Sequence, residues 1–280
     1  MTQRINVTDF NLAATLECGQ AFRWSRDADG WYTGVVWNEV WRLRQDGNNL
    51  EWQCSRGPAR GQPNPLPEPR ADSRLHDYLT LDLSLPAIVA SFPQDAALQQ
   101  AVEAHWGLRV LRQEPWETLA SFIASSTKQI VQIRQIVAHL AERLGENGAF
   151  PAVERVARAE LPALAACKLG FRAKYLLAAA RMVESGAVRL AELPAMEYGR
   201  ALEELLKIPG VGEKIANCTL LFSCGHHEAF PIDVHVQRSL KRLFPRRKLT
   251  PPKIRAHFGP YAGWAQQYLF YAERIRARPA

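Results

Sequence analysis

The residues whose types and spacing could do chemistry lie between positions 205 and 235. Positions 209–212 read Pro-Gly-Val-Gly, and Lys214 and Asp233 follow this turn. A lysine amine can attack carbon as a nucleophile, and a carboxylate can stabilise positive charge that develops beside it. Backbone N–H groups at a glycine-rich turn before a helix can bind a phosphate. Together these features favour nucleophilic chemistry on a phosphorylated sugar.

Two predicted helices flank the glycine-rich turn. Apolar residues at helical spacing predict a helix over 201–208, which Pro209 and Gly210 end. A second helix is predicted over about 213–224. Gly210 and Gly212 allow a positive φ and the close approach of a foreign backbone. The alternative is an ordinary corner between two helices.

Lys214 and Asp233 each have a purely structural explanation as well. Lys214 could be a solvated lysine in the first turn of a helix. Asp233 precedes a helical run and could serve only as its N-cap. Capping and catalysis are compatible, because a cap fixes the geometry of the carboxylate beside backbone N–H groups.

The net charge of +7 is unevenly distributed along the 280 residues. Residues 234–280 hold eleven Lys and Arg against one acidic residue, which leaves the rest of the chain near −3. Clustered cations indicate a polyanionic partner whose affinity falls as salt rises, although a solubilising tail is the alternative. Six of these cations follow Asp233 closely: Arg238, Lys241, Arg242, Arg246, Arg247 and Lys248.

The cysteines argue against a metal cluster. The five cysteines, at positions 18, 54, 167, 218 and 224, are too scattered for a zinc or iron–sulfur site. Their odd number and the lack of a signal peptide favour a reducing cytoplasm. No apolar run approaches the roughly 18 residues of a membrane span.

Strand patterns precede helical ones along the chain. Aromatic and β-branched runs predict strands over 31–37, 40–44 and 50–52, with a turn at 47–49. Five prolines between 58 and 69 predict an irregular loop, and helical patterns begin near Asp95. The clearest predicted helices span 116–125, 130–144, 174–184 and 262–276. We therefore predict an α+β chain, with an antiparallel sheet domain over 1–110 and a helical body over 111–280.

The glycine turn, Lys214 and the Pro-x-Asp-Val-His segment at 231–235 resemble the helix-hairpin-helix–Gly/Pro–Asp superfamily of DNA glycosylases. Four further segments narrow the resemblance to the 8-oxoguanine DNA glycosylase family, and the matches run from about residue 10 to 275. These segments are 18–24, 121–126, 169–175 and 263–270.

The resemblance implies a TBP-like sheet packed against two helical lobes, with the active cleft between the lobes. It implies a bifunctional enzyme that flips 8-oxoguanine out of the duplex and excises it. Lys214 would attack the sugar C1′ and form a Schiff base, Asp233 would stabilise the oxocarbenium-like charge, and β-elimination could nick the strand.

The resemblance also implies partners and cofactors. The partner would be double-stranded DNA that contains an oxidised purine, bound by a monomer in the cytoplasm (at the nucleoid if bacterial, in the nucleus if eukaryotic). No cofactor would be required and no iron–sulfur cluster is expected. The hairpin could hold a structural monovalent cation.

Five residues would form the base pocket by this resemblance. Phe270 and Cys218 would stack on the flipped base, and the Gly19 carbonyl would accept its N7–H. Gln266 would bond the base edge, and His235 would help hold a phosphate at the lesion. Cys218 could instead be a small buried hydrophobe.

Other residues would contact the duplex. Gly210, Val211 and Gly212 would grip a phosphate. Phe171 would wedge beside the opposite base, with a core aromatic as the alternative, and Arg172 would contact that base.

The chain departs from the family beside the pocket. Familiar eukaryotic members carry an Asn triplet where this chain has positions 127–129, and an Arg where it has Gln132. In the family the Asn fills the space that the flipped base leaves, and the Arg reads the opposite cytosine. Thr127 is smaller and Gln132 is uncharged, so we expect a relaxed preference for cytosine. Gln132 could equally be inert on a helix surface.

Two rival functions share the hairpin. An alkylated-base glycosylase of the same superfamily releases the base with water and lacks the lysine. A non-catalytic helix-hairpin-helix DNA-binding protein would need neither Asp233 nor a base pocket.

Overall fold

The computed structural model describes residues 2–56, 69–146, 148–246 and 249–277. Most of the predicted proline-rich loop lies outside the described residues, and so do the cations Arg247 and Lys248.

A five-stranded antiparallel sheet opens the chain, in the order β1-β5-β4-β3-β2. The helices follow, so the predicted α+β class is confirmed. The strands are β1 (Gln3–Asn6), β2 (Trp24–Arg26), β3 (Tyr32–Val36), β4 (Glu39–Asp46) and β5 (Asn49–Arg56).

The strand predictions correspond to β3, β4 and β5. Alternate residues of β4 and β5 are buried on one face, where Leu43 pairs with Trp52. The turn occupies only positions 47 and 48, because Asn49 already pairs with Asp46. The strands β1 and β2 were not predicted, since they have only four and three residues at the sheet edges and show too little alternation.

Four helices lie within or beside the sheet region. Only the last of these, α4, was predicted, because the helical pattern of the sequence begins near Asp95. They are α1 (Leu12–Glu17), α2 (Pro69–Tyr78), α3 (Leu85–Ala90) and α4 (Ala96–Ala104).

The remaining helices form the body. They are α5 (Pro115–Ser125), α6 (Ile130–Leu144), α7 (Val153–Ala157), α8 (Leu161–Leu164), α9 (Ala173–Glu184), α10 (Tyr198–Leu206), α11 (Glu213–Ser223), α12 (Val234–Leu243), α13 (Pro251–Phe258) and α14 (Ala262–Arg276). A π-helical turn (Ala165–Leu169) and two 3-10 turns (Gly170–Arg172 and Leu190–Ala195) complete it.

The predicted bounds of α6 and α14 agree with the structure, whereas α10 begins earlier than expected. Glu197 caps α10, because its carboxylate accepts hydrogen bonds from the backbone N–H groups of Gly199 and Arg200. An N-terminal Glu cap has no strong sequence signature, which explains the missed first turn.

Two clusters of buried apolar side chains form the core. The smaller lies between the sheet and helices α1 and α2, and the larger fills the helical body. Leu85, Leu98 and Leu108 pack into the larger cluster although they precede the predicted division at 110 and 111. That division stays a prediction.

A glycine lets α14 approach α11 closely. A Cβ at Gly263 would lie 2.3 Å from Leu221 Cδ1 and 2.5 Å from the Ala229 carbonyl oxygen. The side chains that α11 and α14 present on this side therefore lie close together, and they form much of the site.

Candidate active site

A cavity of about 920 Å³ opens between the start of α11, the α5–α6 turn, the start of α12, one face of α14 and the loop after α1. The predicted site residues that line it are Gly19, Thr127, Lys214, Cys218, Asp233, His235, Gln266 and Phe270. Gln132, Phe171, Arg172, Gly210, Val211 and Gly212 do not line it.

Lys214 lies in the first turn of α11 and is half-buried. Its amine donates a hydrogen bond to Ser125 Oγ at 3.1 Å and lies 4.8 Å from the ring centroid of Phe122. These contacts hold the amine at the cavity wall. Ser125 belongs to the matched segment 121–126, but its hydrogen bond with the lysine was not predicted.

Asp233 is the N-cap of α12. Its Oδ1 accepts hydrogen bonds from the N–H groups of His235 and Val236 at 3.0 and 2.9 Å. The positive end of the helix dipole stabilises a carboxylate in this place. The cap does not compete with a catalytic role, since both bonds use one oxygen of the two.

A buried amide ties the two helix starts together. Asn217 on α11 accepts hydrogen bonds from the Tyr198 hydroxyl at 2.8 Å and from the N–H of Phe230 at 3.1 Å. Phe230 precedes Asp233 by three residues, so Asn217 fixes the approach to α12 relative to the helix that carries Lys214. Asn217 was not predicted as a site residue, because an Asn inside a helix is a common and unspecific feature.

Cys218 lies one helical turn after Lys214 and is buried. Burial raises the pKa of its thiol to about 11, while the charge of Lys214 lowers it and the charge of Asp233 raises it. Lys214 and Asp233 therefore both lie near enough to Cys218 for their charges to affect its thiol. At neutral pH the thiol stays protonated and presents a small, weakly polar surface.

The backbone of Gly19 forms another wall. Gly19 has φ of 86°, and a Cβ there would lie 2.8 Å from Ile130 Cδ1 and 3.3 Å from Phe270 Cε1. The positive φ favours glycine, and any Cβ there would also require the end of the Ile130 side chain to move. Gln20 anchors the loop through bonds with the Arg109 carbonyl at 2.7 Å and the Leu111 N–H at 2.9 Å.

Two polar atoms beside the α14 wall of the cavity lack a hydrogen-bond partner in the described part of the chain. Gln266 is 3% exposed, yet its Oε1 has no hydrogen-bond partner among the described residues. Nδ1 of His235 also lacks a hydrogen-bond partner among the described residues. The His235 ring packs edge-on against Phe270, with 5.7 Å between the ring centroids. An unsatisfied buried polar atom costs about 1–3 kcal/mol. Such atoms beside a cavity indicate that a polar ligand completes them.

The hairpin lies apart from the cavity. Gly210 has φ of 82°, and a Cβ there would lie 2.5 Å from Tyr175 Cγ, so glycine is required. Gly212 has φ of −98°, so it does not use the positive φ that a glycine allows. A Cβ at Gly212 would meet no atom within 4 Å. Its surface is open to a ligand backbone.

Phe171 and Arg172 differ in their exposure. Phe171 is 60% exposed, as a wedge would need, and is not a core aromatic. Arg172 is only 4% exposed and donates hydrogen bonds to Ser126, Thr127 and Leu169. Protein oxygens therefore occupy the guanidinium of Arg172 in the free protein, and its contact with the opposite base stays a prediction.

Gln132 is exposed at the start of α6, and its Oε1 accepts the N–H of Gln129 at 3.1 Å. This bond belongs to a capping box, which gives Gln132 a structural role in the free protein. Two cations that the sequence analysis did not assign, Lys128 and Arg274, line the cavity.

The described parts of the chain contain no group of three or more His, Cys, Asp or Glu that could hold a metal ion. Within those same parts, no helix has the length and apolar character needed to cross a bilayer. A hairpin cation stays an expectation.

Two family models match nearly the whole chain. Residues 3–119 match the N-terminal domain of 8-oxoguanine DNA glycosylase. Residues 120–261 match the helix-hairpin-helix–Gly/Pro–Asp superfamily of base-excision DNA repair proteins.

Curated relatives and solved structures agree with these models. The chain is 31% identical to the N-glycosylase/DNA lyase OGG1 of Arabidopsis thaliana, over 96% of this chain and 79% of that protein. It is 33% identical to MBOgg1, solved with a low-affinity DNA ligand, with a TM-score of 0.89 over 99% and 96% of the two chains. The 8-oxoguanine glycosylase/lyase of Clostridium acetobutylicum, solved with duplex DNA, is 28% identical with a TM-score of 0.89 over 99% and 98%.

The cap at Asp233 gives a stability prediction. Asp233→Ala removes the acceptor of two backbone N–H groups and should lower the free energy of unfolding by about 1 kcal/mol. Asp233→Asn keeps a side-chain oxygen and should stay within roughly 0.5 kcal/mol of the parent. Urea unfolding measures both. Equal losses in the two variants would show that the carboxylate charge, rather than the cap, stabilises the fold.

Proposed function

Because this chain belongs to the 8-oxoguanine DNA glycosylase family, we propose that it excises 8-oxoguanine from duplex DNA and cleaves the resulting abasic site. The amine of Lys214 attacks C1′ as the glycosidic bond breaks, and the base leaves with the bonding electron pair. Asp233 stabilises the positive charge that develops on the sugar. The C1′–O4′ bond of the sugar–amine adduct then breaks, O4′ takes up a proton, and the opened sugar is held as a Schiff base. Loss of a C2′ proton then expels the 3′ phosphate by β-elimination.

The observation that carries the proposal is the shared cavity. Lys214 and Asp233 line the same space as the carbonyl oxygen of Gln266, which has no hydrogen-bond partner among the residues that the structure describes. The amine and the carboxylate would face the sugar, while Gln266 would bond the edge of the base. A volume of about 920 Å³ leaves room for a whole nucleotide.

The base would lie between Phe270 and Cys218. The protonated thiol of Cys218 would present a small, weakly polar surface on which the base can stack. The backbone of Gly19 would place a carbonyl acceptor near the ring of the base. An acceptor there favours a purine with N7–H, which 8-oxoguanine has and guanine lacks.

Lys214 distinguishes the proposed lyase from an alkylated-base glycosylase of the same superfamily, which lacks the lysine. The chain is also 26% identical to a DNA-3-methyladenine glycosylase of Bacillus subtilis, over 72% of this chain. A nucleophilic amine in the cavity supports a lyase instead. The cavity and Asp233 likewise favour an enzyme over a non-catalytic hairpin protein.

The proposed partner is double-stranded DNA with an oxidised purine, bound by a monomer of this chain. Exposed Phe171 would enter the duplex beside the opposite base, and the open backbone of Gly212 would receive a phosphate. Chemistry requires no cofactor in this proposal, with a monovalent cation at the hairpin as a structural option. The proposed compartment is the cytoplasm, or the nucleus in a eukaryote.

Borohydride trapping tests the nucleophile and the carboxylate. Lys214→Gln should abolish the reducible covalent adduct with lesion DNA, because it removes the only atom proposed to attack C1′. Asp233→Asn should slow base release by roughly 100-fold or more while DNA affinity stays within about threefold.

Lys207→Gln is the matched control, since Lys207 is exposed and pairs with Glu204. Undiminished trapping by Lys214→Gln would assign the nucleophile elsewhere. A collapse of binding in Asp233→Asn would make that residue mainly structural.

The close approach of Gly19 gives a second test. Gly19→Ala should place a methyl group against Ile130 and Phe270 and slow 8-oxoguanine release by roughly tenfold or more. Trapping on a preformed abasic site should persist, because no base then needs the pocket. Gly225→Ala is the control, since Gly225 also has positive φ but open space around it. Equal losses with both substrates would indicate a general distortion.

Opposite-base preference follows from positions 127 and 132. A bidentate contact to one base is worth about 1–3 kcal/mol of discrimination, and neither Thr127 nor Gln132 supplies such a cationic fork. Single-turnover excision opposite the four bases should therefore vary by less than roughly tenfold. Gln132→Arg should increase the preference for cytosine. A parent enzyme with a sharp cytosine preference would contradict the relaxation.

A further inference from the structure

Arg172 is buried beneath the α5–α6 turn, although it follows the exposed wedge residue Phe171. Its Nε donates to the Ser126 carbonyl at 2.9 Å, and its Nη2 donates to the same carbonyl and to Thr127 Oγ1 at 2.7 Å. Its Nη1 donates to the Leu169 carbonyl at 3.2 Å. A planar guanidinium can make this set of bonds at once, whereas an ammonium cannot.

Thr127 is strained where Arg172 holds it. Its φ is 55°, which lies in the left-handed region that β-branched residues avoid. Asn tolerates this region far better than Thr. A strained backbone persists only where the surroundings determine it, and the Arg172 bonds to Ser126 and Thr127 are those surroundings.

The turn that Arg172 holds also carries the contact of the nucleophile. The N–H of Lys128 donates to the Ser125 carbonyl at 3.1 Å and closes the turn, while Ser125 Oγ accepts the Lys214 amine at 3.1 Å. On its other side, the Arg172 guanidinium lies 4.3 Å from the ring centroid of Phe171. Arg172 thus touches both the wedge and the turn against which the lysine rests.

We propose that Arg172 is a positioning residue that locks the Ser125–Thr127 turn to the Phe171 wedge and so places the Lys214 amine for attack. This inference rests on the proposed function. In it the guanidinium makes the position of the nucleophile depend on the seating of the wedge in the duplex.

Base release under single-turnover conditions and DNA affinity test the proposal in Arg172→Lys, Thr127→Val, Thr127→Asn and the Arg172→Lys/Thr127→Asn double variant. Arg172→Lys keeps the charge but loses the fork, so release should slow by roughly tenfold or more. DNA affinity should stay within about threefold, and the slowing should be the same opposite cytosine and adenine.

Thr127→Val removes one acceptor at an exposed position, where folding is not at risk, and should slow release by roughly threefold. Thr127→Asn relieves the strain. A double-mutant cycle compares the effect of Thr127→Asn on base release in the Arg172→Lys background with its effect in the parent. The speeding should be at least about threefold larger in the Arg172→Lys background, because the strained turn there has lost its support.

Hydrogen exchange of the free protein supplies a readout that needs no activity. Arg172→Lys should speed amide exchange of the peptide spanning 125–128 by roughly tenfold. Unchanged amide exchange of this peptide in Arg172→Lys overturns the proposal. A rate of base release in Arg172→Lys equal to that of the parent overturns it as well. Slowing confined to one opposite base would make Arg172 a base reader instead. A parent that releases no 8-oxoguanine contradicts the proposed function. In that case hydrogen exchange still tests whether Arg172 holds the Ser125–Thr127 turn.

Discussion

The site depends on holding an amine and a carboxylate at the starts of two different helices that face one cavity. Lys214 opens α11 and Asp233 caps α12, and the buried amide of Asn217 bonds both α10 and the segment that leads to the cap. The amine binds Ser125 rather than the carboxylate. Both groups therefore remain available to a sugar placed between them instead of neutralising each other.

The two parts of the chain meet at the cavity. The loop after α1 belongs to the N-terminal region, yet Gln267 on α14 donates to the Cys18 carbonyl at 3.1 Å. Cys18 and Phe22 also pack into the core of the helical body. Gly19 is thus held at the cavity by contacts that are distant in sequence, and its position depends on the packing of the sheet region against the helical body.

Local patterns foretold much of this arrangement. Apolar periodicity predicted α6 and α14 with their bounds, and the order of turn, lysine and aspartate predicted that Lys214 and Asp233 act together. The hydrogen bonds of Arg172 and Gln132 were not predicted, because they depend on tertiary contacts and turn geometry. Ser125 and Asn217 escaped notice for the same reason, since the partner of each lies on a different element.

The location of the covalent bond to DNA tests the central claim most directly. Lys128 also lines the cavity, so a second amine is within reach of a sugar there. The borohydride-reduced adduct, digested and mapped by mass spectrometry, should carry the deoxyribose remnant on the peptide that contains Lys214. A remnant on Lys128, or on the α-amino group of the chain, would contradict the account.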